Sequence, residues 1–197
     1  MQINLTKKEQ LQTNTWQGGT TTQLAIYPEG AEYKNLDFIF RISTATIDVE
    51  QSTFTVLPNV SRGIMVLDGG LIIQHENHYT RTLNKFDTDS FSGDWETTSM
   101  GKATDFNVMT RGNAKAGIKG FSLPQKVNKE LTLDCDVMAV YIYSGEVIIQ
   151  EATQKITLSR GDIAIISKEN KKEAFRLQST RNSDIAIAQI HLSVSSD

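Results

Sequence analysis

The sequence predicts an all-β protein, a sandwich or barrel of short strands. Patterns of helical period are nearly absent from its 197 residues. Short runs rich in Ile, Val, Phe, Thr and Tyr recur instead, with Gly, Asn and Asp between them. One strand–turn–strand pattern also occurs twice along the chain. Many short strands at this spacing are typical of β-sandwiches and β-barrels.

The predicted strands follow one another from end to end of the chain. Each is a short β-rich run that ends at a turn-forming residue. In order they are 2–6, 22–27, 36–47, 53–57, 62–67, 70–75, 78–82, 95–99, 105–111, 115–121, 131–133, 137–143, 146–151, 154–158, 163–167, 173–178 and 184–192.

The internal repeat aligns residues 64–74 with residues 140–150. Each copy is an apolar strand, a tight glycine turn and a second apolar strand, which predicts a hairpin because Gly supplies positive φ. A third strand and a Gly-Asp pair follow in both copies, at Gly93-Asp94 and at Gly161-Asp162. Two matches in the same order indicate a duplicated β unit.

This repeated pattern resembles the cupin fold, a small jelly-roll barrel. The resemblance implies two tandem cupin-like barrels packed as one bicupin unit. We expect an N-terminal barrel over residues 1–112 and a C-terminal barrel over residues 113–197. No Pro- or Ser-rich linker separates the halves, so we expect the two barrels to pack as one unit.

The first half supports a more specific resemblance, carried by six motifs in a fixed order. They lie at residues 16–23, 37–45, 54–62, 67–70, 91–94 and 105–111. Their order and spacing resemble those of the HutD/Ves family of bicupins, whereas residues 113–197 match only a generic cupin barrel. The chain departs from the family pattern at Gln23, which stands where the family has an acidic residue.

Composition excludes several classes of function. The net charge is −3 and no dense Lys/Arg cluster occurs, so neither nucleic acid nor a membrane surface is an expected partner. Cys135 is the sole cysteine, which rules out an intramolecular disulfide and fits a reducing compartment. We find no signal-peptide pattern and no membrane-spanning run, so we expect a cytoplasmic protein.

Metal and nucleophilic chemistry both lack a sequence signature. Most cupin enzymes hold a metal with two His and a Glu on one hairpin and a further His on a later strand. The 3 His of this chain do not follow that arrangement. His75 and His78 flank a predicted turn and are expected in solvent, and His191 lies on the last strand. No nucleophile motif is present, and Cys135 is expected to be a partly buried structural thiol. We therefore predict no metal, no cofactor and no catalytic residue.

Polar rows on two predicted strands remain as candidates for a binding site. Asp105, Asn107, Met109 and Arg111 share one face of their strand, and Arg41 and Ser43 share one face of theirs. Small or apolar residues interrupt both rows, which a fully solvated face would not need. The resemblance also implies that these motifs surround the pocket of the first barrel. An arginine inside a barrel needs an anion or carboxylate beside it, and Asp37, Asp94 and Asp105 are internal candidates.

The predicted ligand-binding residues supply charge, neutral hydrogen bonds and an apolar wall. They are Trp16, Gln23, Arg41, Ser43, Arg62, Asn107, Met109 and Arg111.

The leading hypothesis is a metal-free bicupin that binds a small acidic metabolite and is not an enzyme. The resemblance implies a regulatory role in histidine utilisation or a stress response. One alternative is a cupin-type isomerase or hydrolase acting on an acidic or sugar-like substrate, with Asp94 or Asp105 as general acid or base. Another is a non-catalytic interaction module, and self-association as a homodimer through sheet edges is left open.

Overall fold

The computed structural model describes residues 1–152, 154–169 and 173–192. This part of the chain contains nineteen strands and two 3-10 helices, at Lys8–Gln10 and Tyr33–Asn35. The predicted all-β class is confirmed. None of the helices in the described ranges is long and apolar enough to cross a membrane.

The strands follow one another with short connections, as expected for a barrel protein. They are β1 (Gln2–Thr6), β2 (Gln12–Trp16), β3 (Gly19–Tyr27), β4 (Phe40–Ile47), β5 (Gln51–Thr53), β6 (Val60–Gly69), β7 (Leu71–His75), β8 (Tyr79–Leu83), β9 (Thr88–Ser92), β10 (Thr97–Met100), β11 (Ala103–Arg111), β12 (Lys115–Leu123), β13 (Asn128–Leu133), β14 (Val137–Ser144), β15 (Glu146–Glu151), β16 (Gln154–Ser159), β17 (Ile163–Ser167), β18 (Glu173–Ser179) and β19 (Ser183–His191).

The strands form two compact units. Gln12–Ile118 makes up the first barrel, and Met1–Leu11 joins the chain from Lys119 onward in the second barrel. The predicted division at residue 112 differs from this in two places. The boundary lies at Ile118, and the first eleven residues belong to the second barrel because β1 pairs with β17.

The first barrel consists of two antiparallel sheets. The larger has the strand order β2-β3-β4-β11-β6-β9, and the smaller has the order β5-β10-β7-β8. Ile64 and Val66 of the larger sheet pack in one buried cluster with Leu71, Ile73 and Leu83 of the smaller. The two sheets therefore face each other across a shared apolar core.

The second barrel repeats this plan. Its sheets have the orders β1-β17-β14-β19-β12 and β13-β18-β15-β16. Its core cluster includes Met138, Ile185 and Ile187, each fully buried, together with Val147 and Leu177 of the other sheet. An apolar core thus fills the space between these two sheets.

The repeated glycine turn is present in both barrels, but it does not make a hairpin. Gly69 and Gly145 have φ of 77° and 81°, as the repeat requires. A Cβ on Gly69 would lie 2.3 Å from the backbone oxygen of Lys102, so no other residue fits. However, β6 and β7 lie in different sheets, as do β14 and β15. The predicted hairpins are wrong, because the glycine carries the chain from one sheet to the other.

The second predicted turn of the repeat also needs correction. The backbone N–H of Gly161 donates to Ile142, and that of Phe86 donates to Val66, both at 2.7 Å. Val66 and Ile142 are aligned in the repeat. The turn of the first barrel that corresponds to Gly161-Asp162 is therefore the turn that ends at Asp87, not Gly93-Asp94. The Asp162 and Asp87 carboxylates each accept a hydrogen bond from the backbone N–H three residues earlier, both at 2.9 Å.

Two strands were not predicted, because in neither do apolar and polar residues alternate. β2 is polar and exposed along its whole length, and β9 carries a buried Asp89 at a position where an apolar residue would be expected. The strand predicted at 36–47 begins only at Phe40, because Leu36 adopts a left-handed conformation after the 3-10 helix. The strand predicted at 53–57 ends at Thr53.

Candidate functional site

The first barrel contains a cavity of about 370 Å³ that is lined mainly by its larger sheet. Strands β2, β3, β4, β6 and β11 contribute to it, together with β5, the segment that follows β5, and one side chain of the second 3-10 helix. Its lining residues are Asn14, Trp16, Thr21, Tyr33, Arg41, Ser43, Ala45, Ile47, Ser52, Thr53, Phe54, Thr55, Arg62, Asp105, Asn107 and Met109.

Strand register explains why these side chains meet. Met109 on β11 lies opposite Arg41 on β4 and opposite Arg62 on β6, so the three side chains form one row. Asn107 lies opposite Ser43 in the next row on the same face. The polar face of β11 therefore lines a cavity rather than meeting solvent along its length. The opposite face is apolar and also buried, at Phe106 and Val108.

Arg41 is held by three neighbours and is 7% exposed. Its Nε donates to Gln23 Oε1 at 2.9 Å, and its Nη1 donates to Ser43 Oγ at 3.2 Å. The Tyr33 ring covers the guanidinium, with Cζ 4.4 Å from the ring centroid. Burial lowers the pKa of Arg41, and the electrostatic influence of Tyr33 opposes that shift. Because arginine stays protonated even so, a desolvated cation faces the cavity.

Arg62 is held by aromatic rings and one carbonyl. Its Nη1 donates to the backbone oxygen of Thr55 at 3.2 Å, and its Cζ lies 4.9 Å from the Phe54 centroid and 5.3 Å from the Phe91 centroid. Burial lowers the pKa of Arg62, the charges of Tyr33 and Asp105 oppose that shift, and the charge of Arg41 adds a smaller lowering. Two guanidinium groups therefore share one cavity and repel each other.

Neither arginine forms a salt bridge with a carboxylate in the described part of the chain. Two of the internal partners proposed from the sequence are engaged elsewhere. Asp37 accepts a hydrogen bond from the backbone N–H of Glu32 at 2.8 Å, and Asp94 accepts one from Ser92 Oγ at 2.8 Å. Neither aspartate lines the cavity. The positive charge of the two arginines is thus not neutralised by direct contact.

Among the residues that the structure describes, Asp105 is the one carboxyl group that lines the cavity. It is 2% exposed, and burial raises its pKa to about 7. Hydrogen bonds from Asn107 Nδ2 and from the backbone N–H of Ala45 oppose this shift, as does the charge of Arg62. The carboxyl group therefore changes its protonation state near neutral pH.

Trp16 stands at the mouth of the cavity and is 38% exposed. A Cβ on residue 18 would lie 2.1 Å from an atom of its ring, so the glycine at this position is what lets the ring fold back. Gln17 and Gly18 form the turn between β2 and β3, which begins at Gly19.

Two predicted binding residues lie outside the cavity. Gln23 stands behind Arg41 and orients it. Arg111 continues the polar row but lies beyond the cavity, at the end of β11 opposite Val60, and its buried Nε has no hydrogen-bond partner in the described ranges.

Several lining residues were not predicted. The most important are Tyr33 in the second 3-10 helix and Phe54 after β5, which stack on the arginines. Asn14, Thr21, Ser52 and Thr55 add polar groups. Phe54 belongs to one of the six motifs, and the motif is the sequence signal that could have identified it as a site residue.

His75 contradicts the expectation of an exposed turn residue. It is 2% exposed, with Nδ1 2.8 Å from Thr97 Oγ1 and Nε2 3.0 Å from Asp89 Oδ2. The alternation of β7 turns it inward, where the unpredicted strand β9 supplies the carboxylate. His78 is exposed as expected and stacks on Trp95 with the centroids 3.7 Å apart. His191, at the end of β19, is also exposed.

Metal and thiol chemistry gain no geometric support. Within the described ranges, no group of three or more His, Cys, Asp or Glu side chains could hold a metal ion. Cys135 is fully buried, more deeply than predicted, and burial raises the pKa of its thiol.

The second barrel shows what these positions hold when they form part of a core. Through the repeat and the strand registers, Met138, Ile185 and Ile187 correspond to Arg62, Asp105 and Asn107. All three belong to the apolar core of the second barrel. The first barrel, which has the cavity, thus carries polar residues at positions where the second barrel has apolar core residues.

Two tandem β-barrels with a cavity inside one of them define a cupin-type protein with the bicupin arrangement. The family comparison is more specific: the HutD family model matches residues 8–187, and the chain belongs to the HutD family. The membership predicted from the six motifs is confirmed. The comparison with curated proteins found no match.

Solved structures share this fold at low sequence identity. PA5104 from Pseudomonas aeruginosa PAO1, a conserved protein of unknown function, superposes with a TM-score of 0.85 at 18% identity, over 98% of this chain and 100% of that one. HutD from Pseudomonas fluorescens SBW25 gives 0.76 at 16% identity, with the same coverage. YhhW from Escherichia coli gives 0.72 at 9% identity over 100% of both chains. These similarities show the fold alone.

Proposed function

We propose that the first barrel binds a small acidic metabolite in the cavity between β4, β6 and β11. One observation carries this proposal: Arg41 and Arg62 line a single cavity, and neither has a carboxylate partner within 4.0 Å in the described part of the chain. A buried cation without a counter-ion is costly. An anionic ligand would supply the missing charge.

The surrounding groups suit a carboxylate in particular. Guanidinium groups match carboxylates in shape and donate charge-assisted hydrogen bonds. Asn107, Thr21 and Asn14 offer neutral hydrogen bonds, while Trp16 and Met109 provide apolar contact. Small-molecule sites combine apolar surface with converging polar groups, and this cavity does so with a larger share of polar and charged side chains.

Family membership is the basis of our proposal for the biological role. We propose that the protein acts without a metal and regulates, rather than catalyses, a step linked to histidine utilisation or a stress response. The structure of HutD from Pseudomonas fluorescens is described for a formate condition, and formate is the smallest carboxylate. That similarity motivates including formate among the ligands to be tested.

Calorimetric titration tests the binding proposal. Wild type would be titrated with formate, acetate and a series of larger acidic metabolites at constant ionic strength. We expect saturable binding of at least one carboxylate, and an affinity at least about tenfold lower in Arg41→Ala. Arg160→Ala removes an exposed arginine of the second barrel and serves as the control. Absence of binding across the panel would refute the proposal, as would equal binding by Arg41→Ala and wild type.

An enzymatic function is the second candidate, and one observation favours it. Asp105 lines the cavity beside cationic groups and has a pKa raised to about 7, which suits a general acid or base. Asp94, the other candidate from the sequence, lies outside the cavity. Conversion of a bound acidic compound by wild type, lost in Asp105→Asn with binding retained, would establish catalysis. If acidic compounds bind and none of them is chemically changed, the enzymatic function is rejected and the binding function stands.

A further inference from the structure

We propose that two copies of this chain associate face to face through the outer surface of the smaller sheet of the first barrel. This sheet has the strand order β5-β10-β7-β8, and its inner face packs in the core of the first barrel. Its outer face presents two rows of side chains to solvent, and neither row contains a charged residue. An uncharged surface of this kind is complementary to a second copy of itself.

The first row crosses the four strands and has an apolar pair at its centre. Met100 and Ile72 lie opposite each other, and Gln51 and Thr82 flank them. The two apolar side chains are 45% and 38% exposed. They line a shallow depression of about 230 Å³. Removal of this adjacent pair from water favours association.

The second row is polar and neutral along its whole length. It consists of Thr53, Thr98, Gln74 and Thr80. The chain as a whole has a net charge of −3, so two copies repel each other on average. On this face they can meet without bringing like charges together, which is the electrostatic condition for a stable contact.

The second barrel provides an internal comparison, because its smaller sheet has the corresponding order β13-β18-β15-β16. The repeat aligns Ile72 with Ile148, and the strand registers then align the two outer faces. At the three positions where the second row of the first barrel has threonine, the second barrel has Glu130, Arg176 and Lys155. The centres of interfaces are depleted of charged residues, and only the face of the first barrel meets that condition.

The charges beside the two rows limit how two copies can be oriented. Glu76 and Glu96 continue the outer face beyond the second row and are exposed. Beyond the first row, Lys102 and Glu50 form an ion pair with an N–O distance of 2.9 Å. A two-fold axis that runs across the strands, between the two rows, keeps the acidic ends of the two copies apart. The first row of one copy then lies over the second row of the other.

The size of the face predicts a dimer of modest affinity. Four strands about 4.8 Å apart and at most about 17 Å long give a face of roughly 300 Å². A standard interface takes about 800 Å² from each partner, so residues around the face must contribute as well. Val56, 46% exposed beside the second row, is one such residue. We therefore expect a dissociation constant in the micromolar range.

Sedimentation velocity at concentrations from about 1 μM to about 1 mM tests the proposal. We expect wild type to shift from the mass of one chain to twice that mass as the concentration rises. Met100→Lys places a charge at the centre of the interface and should weaken the dimer at least about tenfold. Gln178→Lys places the same charge at the corresponding position of the second barrel and should leave the dimer unchanged.

A second variant gives the first barrel the charges of the second. Thr98→Arg combined with Thr80→Lys should also weaken the dimer at least about tenfold, and neither position is buried, so folding should be retained. Wild type that stays monomeric over the whole concentration range would overturn the proposal. A dimer that both variants leave intact, or that Gln178→Lys weakens as much as Met100→Lys does, would overturn it too, because the copies would then meet through another surface.

Discussion

Arg62 of the first barrel and Met138 of the second occupy the same position of the duplicated unit. Arg62 lies opposite Met109 on β11, and Met138 lies opposite Gln189 on β19. Met138 is fully buried in an apolar cluster, whereas Arg62 lines a cavity. One copy of the repeat thus keeps an apolar core at this position and the other presents a cation, as expected when a functional site is placed on a common fold.

Gln23→Glu is expected to weaken anion binding. The amide oxygen of Gln23 already accepts a hydrogen bond from Arg41 Nε, so a carboxylate there would neutralise the arginine and compete with the ligand. We expect the affinity for the best carboxylate of the panel to fall about tenfold, without loss of stability. Titration calorimetry measures this, with the exposed Gln154→Glu as control. An unchanged affinity would show that the charge of Arg41 does not drive binding.

Asp105→Asn is expected to make stability less dependent on pH. The pKa of Asp105 is raised to about 7 in the folded protein, so the folded state holds this proton more tightly than the unfolded chain. Its contribution is fully present below pH 4 and is lost as the pH rises to 7, a change of up to about 4 kcal/mol. Urea unfolding at pH 5 and pH 8 should show the variant gaining relative to wild type at the higher pH.

Asp94→Asn is the matched control, because Asp94 is exposed and lies outside the cavity. It should follow the wild-type pH dependence. If Asp105→Asn does so as well, Asp105 titrates at its ordinary pKa and the second candidate function loses its support.

His75→Ala is expected to destabilise the first barrel by about 3 kcal/mol. The substitution removes the imidazole that lies between Thr97 and Asp89 and leaves the buried Asp89 carboxylate with fewer partners. Urea unfolding measures the loss. His191→Ala, at an exposed position, should cost less than about 0.5 kcal/mol. Equal effects of the two substitutions would contradict a role for the His75 contacts in stability.

Gly69→Ala and Gly145→Ala are expected to cost about 1–3 kcal/mol each, because both positions have positive φ and a Cβ would meet a backbone oxygen at 2.3 Å. Gly117→Ala is the control, since a Cβ there meets nothing within 4 Å. Thermal unfolding should separate the first two variants from the third. A Gly69→Ala protein as stable as Gly117→Ala would show that the turn between the sheets tolerates other residues.

Strand periodicity explains which part of the site could be predicted. Side chains alternate between the faces of a strand, so Arg41, Ser43, Asn107 and Met109 had to share a surface once β4 and β11 paired. Tyr33 and Phe54 stack on the arginines from a one-turn 3-10 helix and from the segment after β5, where no strand alternation predicts the side-chain direction. The residues that hold the charges in place were therefore harder to foresee than the charges themselves.

Prediction of the fold from the sequence met the same limit. The repeat was visible from residues 64–74 and 140–150, but strand pairing is a non-local property. β6 and β7 are adjacent in sequence and lie in different sheets, whereas β1 joins the second barrel by pairing with β17, more than 150 residues away. Local patterns place strands and turns, and long-range burial decides which strands become neighbours.

Titration of Arg62→Met with the best carboxylate of the panel tests the central claim most directly. This substitution gives the first barrel the residue that the second barrel has at the same position. We predict an affinity at least about tenfold below that of wild type, with equal or greater stability because a half-buried cation without a carboxylate partner is removed. Binding as tight as that of wild type would contradict the claim that the polar positions of the first barrel form an anion site.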